Sequence, residues 1–349
     1  MAQLSETIQP ENQPDIVLRR LTTGFMTTFV VRAAAELRLL DAFGAAPRPV
    51  GAVAEDLAVP RVTLVRLLRA LTALGLFTET TVDCFAPTPA GELLRSDHPQ
   101  SLHAFVEMFT DPVMTNAWQD LASSVRTGKT SFDERFGAPF FDHLKTEPAI
   151  SALFNASMSQ ASRVVAEALP QAYDFSRFST VLDIGGGDGT VLAGILRTNP
   201  ELRGVIFDTE EGSAQAPERL AEAGVTERAS VVTGDFFTGI PGGADLYVIK
   251  SILHDWDDDR CVRILRQCRA VCPPTGTLLI IEPVLPERVT ETVPAGLYLS
   301  DLNMLVNVGG RERTCAEFAE LCEQAGFVLT TTSPLSADVG FWYLEAKAA

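Results

Sequence analysis

The stretch from Thr180 to Val191 constrains the fold of this chain more than any other part of the sequence. It reads TVLDIGGGDGTV, and its apolar residues 181–184 predict a buried strand that runs into a glycine-rich turn. The apolar residues within 191–196 then follow with helical spacing. A strand, a glycine turn and a helix let a nucleotide-like ligand approach the backbone at the edge of a parallel sheet. The sequence therefore predicts a doubly wound α/β domain with a ligand at this turn.

The spacing and charge of the turn separate the possible ligands. In the dinucleotide fingerprint Gly-x-Gly-x-x-Gly the first two glycines match Gly185 and Gly187, but the third position is Thr190. The turn also carries Asp183 and Asp188 and no basic residue, which is unfavourable for a pyrophosphate. A positively charged ligand without phosphate, such as S-adenosylmethionine (SAM), fits better. We predict that Asp183, Gly185 and Gly187 bind SAM, and an NAD-dependent oxidoreductase is the disfavoured alternative.

Acidic residues at the ends of the next two strands support this cofactor. Residues 205–208 predict a second strand that ends in Asp208, at a place where a carboxylate can bind both ribose hydroxyls. A third apolar stretch, 229–233, is followed by Asp235 and Phe236, which we predict to bind the adenine amino group and to cover the ring. Each aspartate alone is a common turn residue, but their order on successive strand ends favours a ligand.

The segment after the next strand supplies a candidate base. Residues 246–249 predict a strand, and Lys250 and His254 follow its carboxyl end, where the ligands and catalytic groups of an open parallel sheet gather. Of the four histidines in the chain, only His254 lies at such a place. A lone histidine is more often structural, but the glycine turn and the strand-end acids favour a catalytic role here.

These motifs together resemble the class I SAM-dependent O-methyltransferases that act on small molecules, both the plant caffeate and flavonoid type and the bacterial polyketide-tailoring type. The matching residues are Asp183–Gly189, Asp208, Gly234–Phe236, Lys250, His254–Asp257, Glu282 and Asn307–Arg313. The resemblance implies that His254 is the general base and that Glu282 and Glu312 flank and orient it. It also implies a cofactor contact for Lys250 and substrate contacts for Phe154, Met158, Asp255, Trp256 and Asn307.

The physical chemistry of methyl transfer agrees with these roles. A phenol has a pKa of about 10 and a histidine one of about 6.5, so a base must be aimed at the hydroxyl. Glu282 ends the apolar strand 277–281, and a carboxylate on one imidazole nitrogen leaves the other free to accept a proton. Glu312 is placed to do the same work. The alternative for Glu282 is a solvated loop acid, and for Glu312 a surface ion pair with Arg311 or Arg313.

Composition limits the other classes of function. The chain has 349 residues, 46% of them hydrophobic, and no apolar run approaches the roughly 18 to 20 residues of a membrane span. Residues 1–13 lack the pattern of a signal peptide, so we expect a cytoplasmic protein. The six cysteines form no Cys-x-x-Cys pair and favour core packing, and no metal is expected. A net charge of −17 opposes binding to nucleic acid or to anionic lipid.

The first third of the chain contains a pattern typical of DNA-binding proteins. Helices at 50–58 and 61–77 and a ribbon at 78–87 predict a winged helix, whose arginines could contact phosphates. The acidity of the chain makes a regulator the disfavoured alternative, and the resemblance implies a module for dimer contacts and substrate-pocket walls. A long helix is predicted from Ile16 to Phe43, and its many apolar residues favour a homodimer interface.

The sequence thus predicts a Rossmann-like doubly wound sheet with a C-terminal antiparallel hairpin, 326–332 and 341–346, preceded by a helical and winged-helix dimerisation domain. We place this dimerisation domain at 1–99, a helical connector that lines the substrate pocket at 100–172, and the SAM-binding domain at 173–349.

The predicted function is methylation of a phenolic hydroxyl on an aromatic, polyketide-like natural product, with S-adenosylhomocysteine as the second product. The alternative is a SAM-binding homologue that performs hydroxylation or decarboxylation on a similar substrate.

Overall fold

The computed structural model describes residues 13–290, 293–336 and 339–349. The chain forms two compact units, of which the first ends at Pro112 and the second begins at Val113. Residues 1–12 lie outside the described residues. They make up nearly all of the segment 1–13, which is predicted not to be a signal peptide. The three-part division at residues 99 and 172 stays a prediction.

The N-terminal unit is mainly helical, with one small antiparallel sheet of strand order β1-β3-β2. Its elements are α1 (Pro14–Thr22), α2 (Phe25–Glu36), α3 (Leu39–Phe43), β1 (Arg48–Pro49), α4 (Val50–Asp56), α5 (Arg61–Ala73), β2 (Phe77–Thr81), β3 (Cys84–Pro87), α6 (Pro89–Glu92) and α7 (His103–Thr110). Helices α4 and α5 with the β2–β3 ribbon form the predicted winged-helix pattern. Leu64, Leu68 and Leu71 are buried on α5, and Arg66 and Arg69 are exposed.

The predicted single helix from Ile16 to Phe43 is wrong, because the chain breaks it twice. The hydroxyl of Thr22 donates to the carbonyl of Leu18, that of Thr23 donates to Arg19, and a glycine follows. Such side-chain bonds and a glycine both weaken a helix interior. The second break lies at Arg38, whose φ of 47° is left-handed.

The C-terminal unit carries the large sheet. Its elements are α8 (Pro112–Thr115), which starts at the boundary residue, α9 (Leu121–Thr127), α10 (Ser131–Phe136), α11 (Phe140–Thr146), α12 (Pro148–Ala172), β4 (Thr180–Ile184), α13 (Thr190–Thr198), β5 (Arg203–Asp208), α14 (Ala216–Glu222), β6 (Ala229–Thr233), β7 (Leu246–Lys250), α15 (Asp258–Val271), β8 (Thr277–Leu285), α16 (Ala295–Asn307), β9 (Arg313–Thr314), α17 (Cys315–Gln324), β10 (Phe327–Pro334) and β11 (Phe341–Ala348).

The strand order of this sheet is β10-β11-β8-β7-β4-β5-β6. Strands β4 to β8 are parallel, β11 pairs antiparallel with both β8 and β10, and β9 adds two residues beside the end of β8. The direction of winding reverses between β4 and β7, which is where open parallel sheets bind ligands. The predicted doubly wound sheet with a C-terminal antiparallel hairpin is therefore confirmed.

Both faces of the sheet are covered, because successive strand residues point to opposite sides. Leu182 and Ile184 pack with α15 and α17, whereas Val181 packs with α12 and α13. The cysteines of α15 belong to the first of these cores, and all six cysteines of the chain are free thiols. Every helix within the described residues is too short or too polar to cross a membrane.

Candidate functional site

The glycine turn follows β4 at the point where the sheet reverses. Gly187 has a φ of +55°, which favours glycine, and a Cβ added there would meet no described atom within 4 Å. A Cβ at Gly185 would overlap the side chain of Ile252. The turn therefore offers bare backbone on one side, as a bound nucleoside would require.

Asp208 is built into this turn. Its Oδ2 accepts the backbone N–H of Gly187 at 2.8 Å, and its Oδ1 accepts that of Thr209 at 2.6 Å. Burial raises the pKa of Asp208. A Cβ at Gly212 would overlap the Asp208 carboxylate, so this glycine leaves the space that the carboxylate occupies. Sequence reasoning missed Gly212, and its place four residues after a strand-end acid was the available signal.

The two acids of the turn have different surroundings. Asp183 is buried, burial raises its pKa to about 7, and its Oδ2 has no hydrogen-bond partner among the described residues. Asp188 accepts the backbone N–H of Thr190 at 3.0 Å and the Nε of Arg219 at 3.2 Å. A basic residue therefore does lie beside the turn, although the turn itself contains none, because α14 brings Arg219 to Asp188.

Lys250 lies at the end of β7, beside this turn. Its Nζ donates to the hydroxyl of Ser162 on α12 at 2.8 Å. Burial lowers the pKa of Lys250, while the charges of Glu282 and Asp183 act in the opposite direction. Two acids therefore favour the charged form of Lys250: Asp183 near the end of β4, and Glu282 on β8.

Aromatic side chains surround the predicted adenine site. Asp235 is exposed, and its Oδ1 accepts the N–H of Phe237 at 2.8 Å. The ring of Phe236 lies 4.9 Å from that of Phe237, and Trp256 lies 4.9 Å from Phe237 and 5.4 Å from Phe141, measured between centroids. Trp256, which the resemblance assigned to substrate, thus packs beside the residues predicted to hold adenine.

His254 lies in a single 3₁₀ turn, Leu253–Asp255, between β7 and α15. Its Nδ1 is 3.2 Å from Oε1 of Glu312 and 3.6 Å from Oε2 of Glu282, and its Nε2 is 3.7 Å from Oδ1 of Asp255. Burial disfavours the imidazolium, but the charges of Glu282 and Asp255 and the hydrogen bond to Glu312 outweigh it and raise the pKa of His254 to about 10. Burial also raises the pKa of Asp255 to about 7.

The two glutamates hold different parts of this arrangement. Oε1 of Glu282 accepts the backbone N–H groups of Ile252 and Leu253 at 2.9 and 2.8 Å, so this carboxylate fixes the turn itself. Glu312 bonds the ring nitrogen and also accepts the hydroxyl of Ser300 at 2.8 Å. Both glutamates are fully or almost fully buried, and the surface alternatives for them do not hold.

The predicted substrate residues of α12 are half-buried. The ring of Phe154 lies 5.3 Å from Phe140 and 6.2 Å from Phe141, which itself stacks near Trp256. The neighbouring Asn155 donates to the carbonyl of Glu211 at 3.0 Å, in the loop after β5. Phe154 therefore joins the aromatic group around Trp256, and the substrate contacts of Phe154 and Met158 stay a prediction.

Asn307 ends a chain of hydrogen bonds on α16. The indole N–H of Trp118 donates to Oδ1 of Asn303 at 3.1 Å, and Nδ2 of Asn307 donates to the same oxygen at 2.9 Å. An indole only donates, so it fixes the orientation of both amides. Oδ1 of Asn307 is buried and has no partner within the part of the chain that the structure describes. Asn303 was missed, although it lies one helical turn before Asn307.

A metal ion would find one group of three ligands within the described ranges. His254, Glu282 and Glu312 offer atoms that all lie within 4.8 Å of one another. The imidazole nitrogen that faces both carboxylates already bonds Glu312. The absence of a metal from the reaction stays a prediction.

Comparison with known proteins identifies relatives over nearly the whole chain. A family model for the O-methyltransferase domain matches residues 118–328, and one for the O-methyltransferase dimerisation domain matches residues 19–97. O-demethylpuromycin-O-methyltransferase of Streptomyces alboniger is 46% identical over 328 residues, 93% of this chain and 87% of that protein. Phenazine O-methyltransferase PhzM of Lysobacter antibioticus is 40% identical over 331 residues, 95% of each.

The relatives include an O-methyltransferase solved with its ligands and a protein that is named a hydroxylase. NcsB1, an O-methyltransferase from neocarzinostatin biosynthesis, in complex with SAM and 2-hydroxy-5-methyl naphthoic acid, has a TM-score of 0.75 at 34% identity, with 93% of this chain and 96% of its own covered. Aclacinomycin 10-hydroxylase RdmB of Streptomyces purpurascens is 33% identical over 332 residues, 93% of this chain and 88% of that protein.

Proposed function

This chain belongs to the family of SAM-dependent O-methyltransferases, and we propose that it methylates a phenolic hydroxyl of an aromatic, polyketide-like natural product with His254 as the general base. One observation supports His254 as the base. Nδ1 of His254 bonds Glu312 at 3.2 Å, which leaves Nε2 as the nitrogen that can accept a proton.

The residues around the glycine turn fit SAM. Gly187 leaves open space on the ligand side, Asp208 is held by two backbone N–H groups, and Asp183 offers a buried acceptor without a partner among described residues. When bound, SAM supplies a methyl group that its sulfonium activates for displacement. Asp208 would bind the ribose hydroxyls, Asp235 the adenine amino group, and Asp183 with Lys250 the amino-acid end.

The raised pKa of His254 supports its role in taking a phenolic proton. A phenol has a pKa of about 10, and three carboxylates raise the pKa of His254 to about 10. Proton transfer between groups of similar pKa is nearly thermoneutral, so the base would not have to form a strongly disfavoured imidazolium. Glu282 holds the turn, and Glu312 holds Nδ1.

The orientation of the Asn307 amide supports a substrate that carries a hydrogen-bond donor. Because Trp118 and Asn303 fix the amide, Asn307 presents its carbonyl oxygen and not its N–H group. A buried acceptor without a partner is costly, and a substrate hydroxyl or amino group would relieve that cost. We therefore propose that the substrate has a second donor besides the hydroxyl that is methylated.

A homodimer is the proposed assembly, and a cytoplasmic location stays a prediction. The dimerisation-domain match covers residues 19–97. Within it, Leu21, Phe25, Met26 and Phe29 are between 54% and 69% exposed, which is unusual for side chains of this size along consecutive helices.

One specific observation favours a second candidate function. A relative that is 33% identical over most of the chain is named as a hydroxylase, so related chains do perform other chemistry. The alternative is that this protein uses SAM in hydroxylation or decarboxylation of a similar substrate.

Product mass separates the two candidates. SAM binding is first measured by calorimetry, and the enzyme is then incubated with SAM and a panel that includes 3-amino-4-hydroxybenzoate and 1,4-dihydroxy-2-naphthoic acid. The proposal predicts a product heavier by one methyl group, with S-adenosylhomocysteine formed in equal amount. Gain of one oxygen or loss of carbon dioxide would select the alternative, and binding of NADH in place of SAM would overturn both.

A further inference from the structure

Among the described residues, the largest fully buried side chain is that of Arg313, a cation close to the candidate base. Arg313 has no exposed surface and lies on β9, one residue after Glu312. A buried guanidinium is costly unless its donors are paired, so its contacts indicate what it does.

All five N–H groups of Arg313 have acceptors. Nη1 donates to the carbonyl of Leu253 at 2.8 Å and to that of Arg311 at 3.3 Å, and Nη2 donates to the carbonyl of Trp256 at 2.7 Å. Nη2 and Nε both donate to Oδ1 of Asp258, at 2.8 and 3.1 Å. Leu253 and Trp256 lie on either side of His254 and Asp255, so the guanidinium spans the backbone of the segment that carries the base.

The backbone just before Arg313 packs against the segment that carries His254. A Cβ added to Gly310 would overlap the carbonyl oxygen of His254 and lie 2.6 Å from the backbone nitrogen of Trp256. Strand β9 pairs with β8 through Arg313 and Val284, two residues beyond Glu282. One short segment, 310–313, therefore contacts the backbone of the base and also carries the acid that bonds its ring.

We infer that Arg313 is a positioning residue for methyl transfer: it holds the backbone on both sides of His254 so that Nδ1 stays against Glu312. This inference rests on the proposed function of His254. A lysine cannot replace it, because one ammonium has three donors at a single point and cannot reach two carbonyls and a carboxylate together.

The structure provides a matched control in the same segment. Arg311 shares Asp258 with Arg313 and also pairs with Glu317, but it is 41% exposed, and its guanidinium partners are these two acids. Arg311→Met removes a cation from the segment and leaves the contacts of Arg313 with Leu253 and Trp256.

The test follows the His254 ring directly and does not depend on turnover. The protein is labelled with ¹³Cε1-histidine, and the His254 signal is identified by its loss in His254→Gln. We expect the midpoint of the His254 titration to fall by at least one pH unit in Arg313→Lys and to stay within 0.3 unit in Arg311→Met. Calorimetric SAM affinity is expected to stay within about threefold in both, because Arg313 bonds none of the residues proposed to bind SAM.

Turnover supplies the second readout. With the best acceptor of the panel, kcat of Arg313→Lys is expected to fall about 100-fold, since misplacement of a catalytic group by 1 Å can cost that much. Guanidinium chloride at 20 mM is expected to raise the kcat of Arg313→Ala at least tenfold. Urea at 20 mM is expected to leave that kcat unchanged.

Two results would overturn the inference. One is a His254 titration and kcat of Arg313→Lys that match the parent. The other is a parallel loss of melting temperature, SAM affinity and kcat in Arg313→Lys, which would mean that Arg313 only stabilises the fold. If Arg313→Ala does not fold, the His254 titration and the kcat of Arg313→Lys test the inference. If no acceptor is methylated but the titration shifts, the positioning role stands and the proposed function fails.

Discussion

His254 is surrounded by more negative charge than one base requires. Glu282, Glu312 and Asp255 together raise the pKa of the imidazole to about 10, so most of it is protonated in the ligand-free enzyme at neutral pH. A base must be neutral to accept a proton. We therefore expect log kcat/KM to rise with pH from 7 towards a plateau near pH 10, as measured by initial rates of methyl transfer. A flat profile, or one that falls over this range, would contradict the assigned state of His254.

Removal of one carboxylate should shift this profile in a known direction. Glu312→Gln removes the charged partner of Nδ1 and keeps its size, so the pKa of His254 falls and the rise in kcat/KM moves to lower pH. The maximal rate should also fall about tenfold or more, because Nδ1 loses its charged acceptor. Glu134→Gln on α10 is the control and should leave the profile in place. An unchanged or upward midpoint in Glu312→Gln would contradict the role of this carboxylate.

The role of Asp208 in the cofactor site can be tested without replacing Asp208 itself. Gly212→Ala adds one methyl group that would overlap the Asp208 carboxylate and displace it from the N–H of Gly187. Loss of a charge-assisted hydrogen bond predicts a SAM dissociation constant raised about tenfold or more by calorimetry. Gly239→Ala has open space for its methyl group and should bind SAM as the parent does. Equal affinity of Gly212→Ala and the parent would refute this account of Asp208.

Single residues were predicted well where a strand end fixes them and poorly where a distant segment does. His254 follows the parallel strand β7 and Glu282 lies on the parallel strand β8, so the sequence predicts that they meet at one edge of the sheet. Arg313 contacts Leu253 across 60 residues of chain, and such a contact leaves no periodic signal. The same reason explains why Arg219 was not expected beside Asp188, and why Trp118 was not expected to orient Asn303.

Among the elements, helices α12 and α13 pack closely behind the glycine turn. A Cβ on Gly194 of α13 would lie 2.5 Å from the carbonyl oxygen of Ala166 on α12. Gly194→Ala should therefore destabilise the C-terminal unit by about 1 to 3 kcal/mol, as overpacking does. Gly296→Ala on α16 meets no described atom within 4 Å and should not lower stability. Melting followed by circular dichroism compares the two variants, and equal melting temperatures would contradict this packing.

The sheet and the first helices show which elements a sequence predicts. Apolar runs bounded by glycine or acidic residues identified β4, β5, β7 and the C-terminal hairpin, because a buried strand has a strong and local pattern. The helix predicted from Ile16 to Phe43 is three helices, because apolar periodicity continued across a Thr-Thr-Gly break and across Arg38. Periodicity reports which face is apolar and does not report where the backbone turns.

At the scale of the whole molecule, the N-terminal unit explains why a dimer is proposed. Several large apolar residues of α1 and α2, including Leu21, Phe25 and Phe29, are exposed within the described chain, and the family model for this region is a dimerisation domain. Phe29→Asp should place an unpaired charge in the interface and weaken the dimer about 100-fold or more, as sedimentation velocity would show. Val62→Asp on α5, at a site 72% exposed, is the control and should remain dimeric. A monomeric parent protein, or a dimeric Phe29→Asp, would contradict this interface.

The single-turnover rate of methyl transfer by His254→Gln at saturating SAM tests whether His254 removes the proton. General base catalysis contributes about 10²- to 10⁴-fold, so we predict that the rate falls at least 100-fold while the SAM dissociation constant is unchanged. His98→Gln, which changes a histidine in the N-terminal unit, should keep the parent rate. A His254→Gln rate within threefold of the parent would show that another group, or none, removes the proton.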